Sequence, residues 1–190
     1  MFFPYRRGAG GSPGTYWKDE VKKRPETPDH EATVLALDAE NADVMAAVAW
    51  LGKQGYTDPA RIAVAGCSFG GIHTLLAAEK GTGLFAAVDF AGASMSWGES
   101  PPLQERLKVA VRGARVPVFF LQAENDFNTT PSRVLSAEMT AAGKPNRMKI
   151  FPPHGTTPMG GHAGFCTRGA QEWGPDVLTF LAQPPKTGGP

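Results

Sequence analysis

Along the chain the spacing of apolar residues switches repeatedly between the short runs of strands and the three-to-four-residue period of helices. Val34, Leu37, Val44, Val48 and Leu51 fall on one face and predict a long helix that stops near Gly52 and Gly55. Asp58-Pro59 then turns the chain into a β-favouring run over 61–66. Phe85-Ala86-Ala87-Val88-Asp89-Phe90 and Val116-Pro117-Val118-Phe119-Phe120-Leu121 predict two further buried strands, with the proline near the start of the second. Pro131 opens a helix running to about Ala142, with Gly143 as its stop signal. Arg147 to Phe151 reads as the last strand, and 172–181 as a terminal helix. Phe2-Phe3-Pro4-Tyr5 reads as the end of a strand, followed by a loose glycine-rich stretch from Arg7 to Gly14. Strands alternating with helices predict one α/β domain over 1–183 with a mainly parallel sheet, and a tail over 184–190 expected to be disordered.

Composition narrows the partners. With 19 Lys+Arg against 18 Asp+Glu, the chain has no field that would draw nucleic acid or an anionic membrane, so a small neutral substrate is the default. No apolar window is long enough to span a bilayer, and Met1-Phe2-Phe3-Pro4-Tyr5-Arg6-Arg7 is too short and polar for a signal peptide. Cys67 and Cys166 have no metal-type spacing, and no cofactor or metal is implied. A bridge between them would have to cross the candidate site. Two reduced thiols are expected, with Cys67 a small buried residue, and this points to a cytoplasmic protein.

The candidate site begins where the run from Arg61 ends in Gly66-Cys67-Ser68-Phe69-Gly70-Gly71 and passes into the helix-like Ile72 to Ala78. G-x-S-x-G between a strand and a helix is a nucleophile elbow: a tight, strained turn presents the serine above the sheet, and glycines let strand and helix approach. The helix start aims free N–H groups and its positive dipole end beside Ser68, which makes the Phe69 N–H an oxyanion donor.

A serine hydroxyl needs an imidazole to take its proton and a carboxylate to hold that imidazole. Asp126 follows the strand 116–121, and His162 follows the strand 147–151, so chain order matches the α/β-hydrolase arrangement. Glu124 is the nearest rival acid, and His154, in the same loop as His162, is the rival base. Glycines around His162 favour it, because they let its loop fold back over the sheet. His30 lies in a polar linker, and His73 sits on the helix after the elbow, packing or facing solvent.

Phe3-Pro4-Tyr5-Arg6-Arg7-Gly8-Ala9-Gly10, the elbow, Glu124-Asn125-Asp126 and Gly161-His162-Ala163-Gly164-Phe165 together resemble bacterial dienelactone-hydrolase-like and prolyl-oligopeptidase-like serine hydrolases of the α/β-hydrolase superfamily. The resemblance runs over nearly the whole chain. It implies an α/β-hydrolase fold with Ser68 as nucleophile, Asp126 as triad acid and His162 as general base. True dienelactone hydrolases carry cysteine at the nucleophile position, so their substrate is not carried over. Family members also begin with further strands and a loop that supplies a second oxyanion N–H. This chain starts inside the next strand, which implies an N-terminally truncated sheet. An open edge at residues 2–5 would then favour self-association, and loss of one oxyanion donor costs about 100- to 1000-fold in rate. A donor from within the chain would come from the Arg7 to Gly11 loop.

The expected activity is cleavage of ester, or amide, bonds in a small neutral substrate through an acyl-enzyme on Ser68. Tyr5, Trp97 and Phe127 are candidates to line the substrate pocket, with core packing as the competing role for each. Two alternatives stay open: a catalytically weak or inactive fragment acting as an interaction module, and a peptidase of the prolyl-oligopeptidase type.

Overall fold

The computed structural model describes residues 1–184; the predicted tail, apart from Pro184, lies outside the described residues. Four parallel strands, β1 (Ala63–Cys67), β2 (Ala86–Phe90), β3 (Val118–Ala123) and β4 (Asn146–Phe151), form a sheet in the order β1-β2-β3-β4. Helices α1 (Trp17–Lys22) and α2 (Asp29–Leu51) precede β1. The crossovers are α3 (Phe69–Lys80), α4 (Pro101–Arg112) and α5 (Thr130–Ala141). After β4 come a π-helical turn at Gly160–Gly164, α6 (Phe165–Arg168) and α7 (Ala170–Ala182).

Alternation along the strands separates two cores. Ala87, Val118 and Phe120 face one way and pack with Leu37 of α2, Leu75 and Leu76 of α3, Leu107 of α4 and Leu135 of α5. Val88, Phe90, Phe119, Leu121 and Phe151 face the other way, under Phe165 of α6 and Val177 and Phe180 of α7. The central strands β2 and β3 are buried throughout, as a parallel sheet covered on both faces requires.

The four strands predicted between residues 61 and 151 and the helices α2, α5 and α7 are present within a few residues. The structure adds α4 to the predicted elements: Leu103, Leu107, Ala110 and Val111 form its buried face, and the Ser100 hydroxyl caps it by accepting from the Leu103 N–H. Residues 2–5 carry no strand: a strand needs a hydrogen-bonded neighbour, and Phe2 instead stacks on Trp50. The sheet edges are β1 and β4, and β1 alternates between exposed and half-buried residues up to Gly66. The segment before α1 is held to α2 by Arg6 on Glu40 and by a two-pronged Arg7–Asp43 pair.

Candidate active site

The candidate residues gather beyond the carboxyl ends of the parallel strands, where open α/β sheets place their clefts. Ser68 leaves β1 with φ 56° and ψ −113°, a left-handed conformation that costs a non-glycine residue about 1–3 kcal/mol. Two backbone bonds hold it there: the Ser68 N–H donates to the Phe90 carbonyl (2.8 Å), and the Ile72 N–H donates to the Ser68 carbonyl (3.1 Å). A Cβ on Gly66 would lie 2.2 Å from the Gly70 carbonyl oxygen, so strand and helix touch at that point. Gly70 itself has open space where a Cβ would go. The second close approach is made by Gly71, where a Cβ would lie 2.3 Å from Asp89 Oδ1 and 2.8 Å from the Gly92 Cα. The Phe69 N–H, first in α3, has no acceptor among the described residues.

Asp126 and His162 come together as expected. The His162 Nδ1–H donates to Asp126 Oδ2 at 2.9 Å, with both side chains almost fully buried. That bond leaves Nε2 as the basic nitrogen, which is buried without a hydrogen-bond partner among the described residues. The Ser68 hydroxyl is thus not bonded to it here; such bonds often close only around substrate. Asp126 Oδ1 accepts from the Ser94 hydroxyl and the Phe127 N–H, both at 2.6 Å. Ser94 accepts in turn from the Asn128 N–H. Ser94 gave no sequence signal, because its partner is 32 residues away.

The rivals are placed elsewhere. His154 pairs through Nδ1 with Glu172 Oε1 at 2.7 Å, Glu124 is exposed, and His30 is exposed. His73 is buried: its Nε2–H donates to Glu40 Oε2 at 3.0 Å, and its ring meets Phe69 edge-on. Burial pushes the Glu40 carboxyl up, but the His73 hydrogen bond and the Arg6 charge outweigh it and hold the group below the usual range.

Of the three predicted pocket residues, Phe127 is half-exposed and sits edge-on to His162, with ring centroids 5.7 Å apart. Trp97 belongs instead to the core beneath α4, and Tyr5 is exposed with its ring against Gly10. A cavity of about 140 Å³ adjoins Phe69, lined by Trp17, Leu37, Ile72, Glu99 and Leu103 among others. In the Arg7 to Gly11 loop, the N–H groups of Arg7, Gly8 and Ala9 are already taken by Asp43, Pro13 and Arg6. Those three are therefore not oxyanion donors.

The expectation of two reduced thiols is overturned. Cys67 and Cys166 form a disulfide with Cα atoms 6.2 Å apart across 99 residues of sequence. Both are half-buried on the α7 side of the sheet, against the cluster of Phe90, Phe151 and Phe165, so the bridge passes beside the site and does not cross it. The thiol-based ground for a cytoplasmic protein falls with it. No helix is long and apolar enough to cross a membrane, and no cluster of metal-ligating side chains is present among the described residues.

Residues 32–101 match the model of the prolyl oligopeptidase family. No curated protein sequence matches the chain. Among solved structures, a puromycin-hydrolyzing peptidase of Mycobacterium tuberculosis is 25% identical, with TM-score 0.58, over 77% of this chain and 25% of its own. A putative dienelactone hydrolase from Klebsiella pneumoniae is 21% identical, with TM-score 0.59, over 77% of this chain and 62% of its own. The acylaminoacyl peptidase of Pyrococcus horikoshii is 16% identical, with TM-score 0.59, over 80% of this chain and 29% of its own. The chain thus spans about a quarter of the length of the peptidases and under two thirds of the dienelactone hydrolase. With its parallel sheet, strained elbow and these likenesses, the chain is an α/β-hydrolase-fold protein, similar to the dienelactone-hydrolase-like and prolyl-oligopeptidase-like enzymes.

Proposed function

We propose that the chain is a serine hydrolase that cleaves esters of small neutral molecules through an acyl-enzyme on Ser68. The observation that carries this reading is the strained Ser68 turn in a fold whose next chain segments bring Asp126 onto His162. In the proposed reaction the Ser68 hydroxyl attacks the substrate carbonyl and its proton passes to His162 Nε2. Asp126 keeps the proton on Nδ1 and balances the imidazolium charge. The carbonyl oxygen, now anionic, accepts from the Phe69 N–H beside the helix dipole. His162 returns the proton to the departing alkoxide, and a water molecule, activated by the same imidazole, releases the acid and restores Ser68.

A peptidase is the second reading, favoured by the family match over 32–101 and by the peptidases among the structural neighbours. A fluorophosphonate probe tests serine chemistry, and a panel of p-nitrophenyl esters and aminoacyl p-nitroanilides separates the two readings. Labelling and ester turnover are expected in the parent protein and lost in Ser68→Ala. Labelling that persists in that variant, or maps to Ser94 or Ser96, rejects the assignment. A parent protein that neither labels nor turns over either substrate class rejects both hydrolase readings.

A further inference from the structure

The disulfide flanks both ends of the proposed proton transfer. Cys67 is the residue before Ser68, and Cys166 lies four residues after His162, one helical turn along the same run. The segment carrying His162 is soft by composition: Gly160, Gly161 and Gly164 surround the histidine in a π-helical turn. Its polar ties all run away from the elbow. Asn125 Nδ2 donates to the carbonyls of His154, Gly155 and Thr157; Asp126 takes His162; and the α7 side contributes Glu172 to His154 and the Trp173 indole N–H to the Phe165 carbonyl. No hydrogen bond among the described residues joins 153–169 to 66–71, the Ser68 to His162 bond included. Hydrogen bonds link base and nucleophile only indirectly, through Asp126, Ser94 and the strand ends, so among the described residues the disulfide is the direct link between the two segments apart from apolar packing. Both cysteines are half-buried.

We infer that the Cys67–Cys166 disulfide is a brace that positions His162 for Ser68, so that a dithiol turns the hydrolase down without unfolding it. Cys67 and Cys166 are positioning residues and touch no reacting atom; the inference rests on the hydrolase reading above. Reduction proceeds by attack of a dithiol's thiolate on one cysteine sulfur, breaking the S–S bond and forming a mixed disulfide. The dithiol's second thiol displaces the other sulfur. The reagent ends as a cyclic disulfide, having supplied two electrons and two protons to give two cysteine thiols. A glutathione disulfide reverses the change by taking the electrons back. Full activity is then confined to compartments oxidising enough to keep the bridge, such as the periplasm or the extracellular space.

The test compares the full chain before and after treatment with dithiothreitol, reading thiol count, p-nitrophenyl acetate kcat and KM, fluorophosphonate labelling, and the far-UV circular dichroism melt. Expected are no free thiols before and two after, a kcat lower by about 10- to 100-fold, as loss of positioning by about an ångström produces, KM within about twofold, and a retained melting transition. Oxidised glutathione restores the rate. Cys67→Ala/Cys166→Ala shows the same low kcat and ignores dithiothreitol. Two thiols present from the start overturn the brace, as does full activity after verified reduction. Loss of the melting transition on reduction also overturns it, since the bridge would then be a staple of the whole fold. An oxidised protein without turnover or labelling rejects the hydrolase reading itself, and the brace with it.

Discussion

Replacing Asp89 by asparagine probes a carboxyl that lies fully buried under the elbow, in register with Gly66 and against Gly71. Its Oδ1 accepts from the Gly92 N–H at 2.9 Å, and its Oδ2 has no partner among the described residues. Burial, only partly opposed by the Gly92 hydrogen bond, pushes the group from 3.8 up to about 7. Between those two values the folded chain keeps a proton that the unfolded chain has released. This contribution to stability is therefore fully present below about pH 4, falls as pH rises, and is flat above about pH 7. Roughly three pH units at 1.36 kcal/mol each set its span at about 4 kcal/mol. Asparagine keeps the acceptor for Gly92 and removes the titration. The variant is expected to match the parent within about 1 kcal/mol at pH 4.5 and to be more stable by up to about 4 kcal/mol at pH 8. Urea unfolding of both proteins at pH 4.5, 6 and 8 measures the difference directly, free of the pH dependence they share. A difference that stays constant across the three would refute the reasoning, because it would mean that Asp89 does not change protonation on folding in this range.

Two further substitutions separate roles that the structure distinguishes. His162→Ala should bring kcat down toward the level of Ser68→Ala, since members of a triad act as a unit, while His154→Ala, which only breaks the Glu172 pair, should change it by less than about tenfold; the reverse ranking in p-nitrophenyl acetate turnover moves the base to His154. Gly71→Ala places a Cβ 2.3 Å from Asp89 Oδ1 and should cost about 1–3 kcal/mol by urea unfolding, whereas Gly70→Ala meets open space and should be close to neutral; equal losses would contradict the packing of α3 on the sheet.

The elements that sequence alone disclosed are those written in local chemistry. Apolar runs, a 3.6-residue period and start or stop residues are properties of neighbouring residues, so β1 to β4, the face of α2 and the approximate extents of α5 and α7 are legible in the sequence. The elbow was legible for the same reason, since the strain at Ser68 belongs to one turn of backbone. So was the chain order Ser68, Asp126, His162. Even the missed helix α4 carried its signal, in the Ser100 cap, Pro101 and the spacing of Leu103, Leu107 and Val111.

What tertiary structure decided are the pairings between residues far apart in the chain. Phe2 to Tyr5 have the composition of a strand, but a strand exists only with a hydrogen-bonded neighbour, and none is there among the described residues. Trp97 and Phe127 are both aromatic loop residues in the sequence; the fold buries one in the core and sets the other against His162. Gly70 and Gly71 are adjacent and identical, yet only Gly71 meets the next strand. His162 and His154 share one loop in the sequence, and only the fold gives them different partners, Asp126 for one and Glu172 for the other. Cys67 and Cys166, read as separate thiols, lie 99 residues apart and meet only because β1 and α6 pack on the same aromatic cluster. Local backbone preference is set by each residue and its neighbours, whereas burial, partner choice and covalent pairing depend on which distant surfaces the folded sheet brings within a few ångströms.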